Sequence, residues 1–97
     1  MRWLCYHPKV PAEVREIMAY YEGISPTLAD AFWSELGGAL RYAQEHPKRH
    51  HFNPSGRRRS NLRVFPYHFL FREFETSVRI TAVRHNHRNP GFGSRRK

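Results

Sequence analysis

Cysteine is almost absent from this chain: Cys5 stands alone, which excludes an internal disulfide framework and a thiolate metal cluster. No apolar run approaches the roughly 20 residues that a membrane-spanning helix needs. The run Met1-Arg2-Trp3-Leu4-Cys5-Tyr6-His7 before Pro8 is too short and too polar for a signal peptide, so the expected location is the cytoplasm, with no membrane partner. Acidic residues are also scarce, 8 Asp and Glu against 17 Lys and Arg, for a net charge of +9 at pH 7. The shortage is local. Residues 48–97 hold only Glu73 and Glu75 against thirteen basic side chains, a net of +11, whereas residues 1–47 carry a net of −2. Such a surplus costs self-repulsion in the compact state and points to a polyanionic or acidic partner.

What is present suits one small domain over residues 1–97. Seven Phe, five Tyr and two Trp supply a single two-layer core. Trp3 to His7 reads as a strand stopped by Pro8. Pro11 sits where a first helical turn tolerates proline, and Val14, Ile17, Met18 and Tyr21 then recur on one helical face until Gly23. Ser25-Pro26 is a second start signal, followed by the stripe Leu28, Phe32, Leu36, Ala39, Leu40 and Ala43 and by the stop His46-Pro47. Gly37-Gly38 inside this helix costs about 1 kcal/mol per glycine, which close packing against the first helix would offset. So short a connection makes the two helices an antiparallel hairpin.

Residues 47–59 read as a basic loop, after which the period changes to two. Leu62 and Val64 alternate with Asn61, Arg63 and Phe65; beyond Pro66, Tyr67, Phe69 and Phe71 alternate with His68, Leu70 and Arg72; and Val78, Ile80 and Ala82 share a face of a last strand. Asn89-Pro90-Gly91 ends it, and residues 93–97 are expected to form a flexible tail. The order β-αα-βββ predicts an α+β fold, with an N-terminal strand and a helical hairpin on a small antiparallel sheet. Phe32, Leu36, Leu40, Ile17, Phe69 and Ile80 should be buried.

Two clusters carry the candidate chemistry. Arg57, Arg58, Arg59 and Arg63 can grip phosphates with paired donors. Arg84-His85-Asn86-His87-Arg88 puts His85 and His87 on one face of a strand end with arginines on the other, an arrangement suited to acid–base chemistry on a phosphodiester. His68, opposite Tyr67 and Phe69, is expected on the open face of the sheet. Arg79 adds a further cation. No set of ligands favours a metal, and no cofactor motif is present.

The ordered segments Tyr20-Tyr21-Glu22, Leu28-Ala29-Asp30-Ala31-Phe32, His46-Pro47, Phe65-Pro66-Tyr67-His68-Phe69-Leu70-Phe71 and Ala82-Val83-Arg84-His85-Asn86-His87-Arg88-Asn89-Pro90 resemble the RelE/ParE superfamily of type II toxin–antitoxin toxins, also called plasmid stabilisation proteins. The resemblance covers about residues 3–92. It implies a growth-inhibiting toxin wrapped by a cognate antitoxin. ParE-like members inhibit DNA gyrase, and RelE-like members cleave mRNA on the ribosome without a metal. RelE-like ribonucleases carry an arginine after the tyrosine of the middle strand and a tyrosine near the C-terminus; His68 and Phe92 stand there instead. The ParE-like reading therefore leads, and the alternative is a ribonuclease in which His68, His85 and His87 move protons. In either case Arg57, Arg58, Arg59, Arg63, Arg79, Arg84 and Arg88 are the candidate contacts to target or nucleic acid.

Overall fold

The computed structural model describes residues 2–97. Strand β1 (Trp3–Tyr6) leads into helix α1 (Val10–Glu22) and helix α2 (Pro26–Glu45). A short 3-10 turn, Pro47–Arg49, precedes strands β2 (Arg58–Asn61), β3 (Tyr67–Glu73) and β4 (Ser77–His85). Among the described residues no helix is long and apolar enough to cross a membrane.

Local chemistry accounts for the helices. Proline occupies the first turn of each, where its missing N–H has no intrahelical partner to lose. Ser25 precedes α2 in extended conformation but its side chain makes no capping bond. The apolar stripes bury Val10, Ile17 and Tyr21 from α1, and Ala29, Phe32, Leu36 and Ala43 from α2. Leu40 only packs against the edge of this core and stays partly exposed, contrary to the sequence expectation. Gly37 and Gly38 also behave differently from what their position suggests. A Cβ at Gly38 would meet nothing within 4 Å, and one at Gly37 would meet only the Arg41 guanidinium, at 3.7 Å. Helix–helix packing requires neither glycine.

The four strands lie in the order β1-β4-β3-β2. β2–β3 and β3–β4 are antiparallel, but β1 runs parallel to β4, with Trp3 opposite Ser77 and Tyr6 opposite Ile80. The sheet is therefore mixed, because the helical hairpin returns the chain to a strand aligned with the first. A register shift between Leu70 and Phe71 leaves Thr81 as an extra residue in β4. Val78 and Ile80 before it, and Val83 after it, all join the helix-facing core. Ala82 is thereby turned to the other face, so the expected set Val78, Ile80, Ala82 is corrected to Val78, Ile80, Val83. On the helical side Phe32 lies 5.4 Å from Phe65, 5.6 Å from Tyr21 and 5.7 Å from Tyr67, mostly edge to face.

Two long-range anchors complete the frame. Residues 62–66, expected as strand, form a loop instead, and the Glu35 carboxylate accepts the backbone N–H groups of Arg63, Val64 and Phe65 at 2.9–3.4 Å. On the far face, residues 89–97 lie against β4. Gly93 adopts φ +70° there, and a Cβ on it would stand 2.8 Å from the Ala82 Cβ. Arg96 holds this segment by bonding Glu13 at 2.7 Å and the Thr81 carbonyl at 3.2 Å, and Arg79 donates to the Lys97 carbonyl at 2.5 Å. The stretch expected as a flexible tail is thus placed against the sheet.

Phe32→Ala removes the centre of the aromatic cluster and should cost on the order of 3–5 kcal/mol in a denaturant titration. Glu35→Ala should cost about 1–2 kcal/mol and speed amide exchange at Arg63 and Val64; unchanged exchange there would show that the carboxylate does not hold the loop.

Candidate functional site

β3 and β4 set His68 opposite Arg84 on the sheet face away from the helices. Both are buried, His68 at 2% and Arg84 at 5% exposure. His68 is therefore not on an open surface: Arg84 and Asn86 take both its ring nitrogens, and residues 89–92 in turn bond Arg84. Arginine has donors only, which fixes the chemistry of the pair. Arg84 Nε donates to His68 Nε2 at 2.9 Å, so that nitrogen must hold a lone pair. The proton then sits on Nδ1 and is donated to Asn86 Oδ1 at 2.8 Å. His68 is neutral in this arrangement. Burial drives its pKa down to about 4, helped by the charges of Arg59, Arg84 and His85 and opposed by the Asn86 bond.

Among the described residues Arg84 makes no salt bridge; carbonyl dipoles surround it. Its Nη1 donates to the carbonyls of Pro90 at 2.9 Å and Phe92 at 2.6 Å, with Asn89 at 3.5 Å. Burial, and to a lesser degree Arg59, lowers its pKa from the ordinary arginine value. This guanidinium is committed to the interior.

The other two candidate histidines, His85 and His87, lie at the open end of β4. The rings of His85 and His87 are 5.5 Å apart, and His85 packs edge-on to Tyr67 at 5.0 Å. His85, together with Tyr20, Arg88 and Phe92, borders a hollow of about 260 Å3 between α1 and β4; His87 stands beside His85, outside that lining. Arg88 lies over the Phe92 ring at 4.1 Å. The floor is unusual. Val83 N–H, on the free edge of β4 beyond β1, donates to Glu13 Oε1 at 3.1 Å, so a side chain caps a ladder position. Among the described residues no group of three or more His, Cys, Asp or Glu is placed to hold a metal ion.

The arginines separate into two sets. Arg57 donates to the Arg96 carbonyl, Arg58 to the His50 carbonyl and to Glu73, and Arg79 to the C-terminal segment. Arg59, Arg63 and Arg88 make no salt bridge among the described residues. Several residues that matter to this architecture were not singled out from the sequence. Glu13 and Glu35 are single acids on helices with no local signal of a distant backbone partner. Asn86 lay inside the flagged Arg-His-Asn-His-Arg run, where strand alternation already put it on the Arg84 side.

No protein-family model matches the sequence. None of the curated proteins is recognisably similar to it in sequence. Among solved structures, a chain of the chromosomal ParDE TA (toxin–antitoxin) system from P. aeruginosa superposes with a TM-score of 0.75. The alignment has 21% identity and covers 88% of this chain and 96% of that one. The chain thus has the ParE-like α+β fold that the sequence segments suggested.

His68 should titrate near pH 4 by NMR, with the proton on Nδ1 above that pH. Because its folded pKa lies below the ordinary 6.5, its contribution to stability is present above 6.5 and is lost as pH falls toward 4. Denaturant titrations across that window should show the loss, and His68→Phe should remove this part of the pH dependence. A midpoint near 6.5 would mean an open imidazole.

Proposed function

We propose that this chain is the toxin of a type II toxin–antitoxin pair, held inactive in the cytoplasm by a cognate antitoxin, and that it inhibits DNA gyrase in the ParE-like manner. The likeness to a ParDE chain supports the first part of this reading. The burial of His68 supports the second: the residue standing where RelE-like ribonucleases carry an arginine is enclosed, neutral and bonded on both nitrogens. It is removed from contact with a substrate phosphodiester. In this reading Arg88, at the open end of β4, meets the target, while Arg57, Arg58, Arg79 and Arg84 shape the surface from which it projects.

The RelE-like alternative keeps one supporting observation. His85 and His87 are adjacent, accessible and next to Arg88, so a metal-independent cleavage of message on the ribosome would run through those two and not through His68.

Purified protein should block supercoiling by purified gyrase in the absence of ribosomes, and His85→Ala/His87→Ala should inhibit as strongly as the wild type. The counter-result is specific: primer extension after pulsed expression showing codon-phased cuts that vanish in the double variant, with supercoiling untouched, replaces gyrase by the ribosome.

A further inference from the structure

Lined by none of the residues that border the hollow at His85, a wide groove of about 810 Å3 separates the second half of α2 from the outer edge of β2. Gly38 and Tyr42 belong to its helical wall, Arg59 and Arg63 to the opposite rim, and Arg49 and His51 to the segment leading toward β2. Its charge is one-sided. Arg49 bonds the neutral Tyr42 hydroxyl at 3.3 Å and Arg59 the neutral Asn61 side chain at 2.7 Å. None of the three arginines makes a salt bridge among the described residues. The one carboxylate in the lining, Glu35, is occupied by the backbone N–H groups of the 62–66 loop.

Two further observations narrow the ligand. Tyr42 is 44% exposed, and its ring is held by His46 at 5.1 Å and His50 at 5.6 Å, which leaves an ordered aromatic surface in a basic groove. Gly38 is a helix-interior glycine that no packing contact within the protein requires, and the space a side chain would fill there opens into this groove. Glycine at such a place lets another backbone approach closely. We propose that the groove binds single-stranded nucleic acid, with Arg49, Arg59 and Arg63 on phosphates, Tyr42 against a base, and Gly38 leaving room for the strand. Duplex fits less well, because its bases are not free to meet the tyrosine. An acidic peptide would satisfy the arginines but offers a planar ring only where it carries an aromatic side chain, whereas every nucleotide brings one to Tyr42. The proposal concerns a different surface from the histidine pair and does not depend on whether gyrase or the ribosome is the toxin's target.

The test is fluorescence anisotropy with short labelled oligo(rU) and oligo(dT) across a salt series. Arg49→Gln/Arg59→Gln/Arg63→Gln should reduce the slope of log affinity against log salt by about 2, the value for three lost single-strand phosphate contacts. Arg15→Gln/Arg95→Gln/Lys97→Gln removes the same charge from exposed positions outside the groove and should change affinity far less. Tyr42→Ala should weaken binding roughly five- to a hundredfold. Gly38→Gln, a better helix former whose side chain enters the groove, should raise the melting temperature while weakening binding. Preference for oligo(rU) assigns RNA, and equal or tighter binding of oligo(dT) assigns DNA. Equal losses in the two triple variants, wild-type binding by Gly38→Gln, or competition by polyglutamate as strong as by oligonucleotide at matched charge would each overturn the proposal.

Discussion

A guanidinium taken out of water must find its compensation in dipoles where it has no carboxylate partner, and Arg84, which makes no salt bridge among the described residues, imposes that requirement on everything around it. The carbonyls of Pro90 and Phe92 have to come to it, so the segment after β4 folds back across the sheet. His68 has to stay neutral and offer a lone pair, which in turn demands an acceptor for its other nitrogen, and Asn86 supplies one. Three features that look separate, a buried histidine, a turn asparagine and a docked C-terminal segment, follow from one buried cation.

The few carboxylates of the chain are used in a related way. Glu73 meets Arg2, Lys48 and Arg58 at once. Glu13 joins α1 to Arg96 and to the free edge of β4, and Glu35 joins α2 to the loop before β3. Each ties together elements far apart in sequence. Glu73 and Glu13 pair with Lys48, Arg58 and Arg96, which offsets only part of the second half's basic surplus, so a positive field remains on the sheet side.

The helices were legible because their signals are local: Pro11, Ser25-Pro26, the 3.6-residue stripes and the stops at Gly23 and His46-Pro47. β3 and β4 were legible from alternating apolar residues. β2 was not, since Arg58-Arg59-Ser60-Asn61 has no apolar face and is a strand only through its pairing with β3. The bulge at Thr81 escaped because one extra residue alters no composition, only the face on which Ala82 and Val83 fall. The parallel pairing of β1 depends on where the hairpin delivers the chain. The burial of the His68–Arg84 pair depends on a segment some twenty residues after His68 whose glycines, single proline and basic residues read as a free end. The likeness of folds without a match of families has the same origin, since what is shared is a pattern of faces and turns and not a run of identities.

The neighbours of β4 have a consequence for how the protein is made. β1, near the start of the chain, pairs with β4 along Trp3 to Tyr6, and the C-terminal segment packs on the same strand. A nascent chain can form the helical hairpin early, but its first strand has no partner until β4 has been synthesised. Such long-range closure is intrinsically slow. The sheet surface that the arginines and histidines shape therefore exists only once β4 and the segment packed on it have been made, and a translation product interrupted before β4 carries the helices without it.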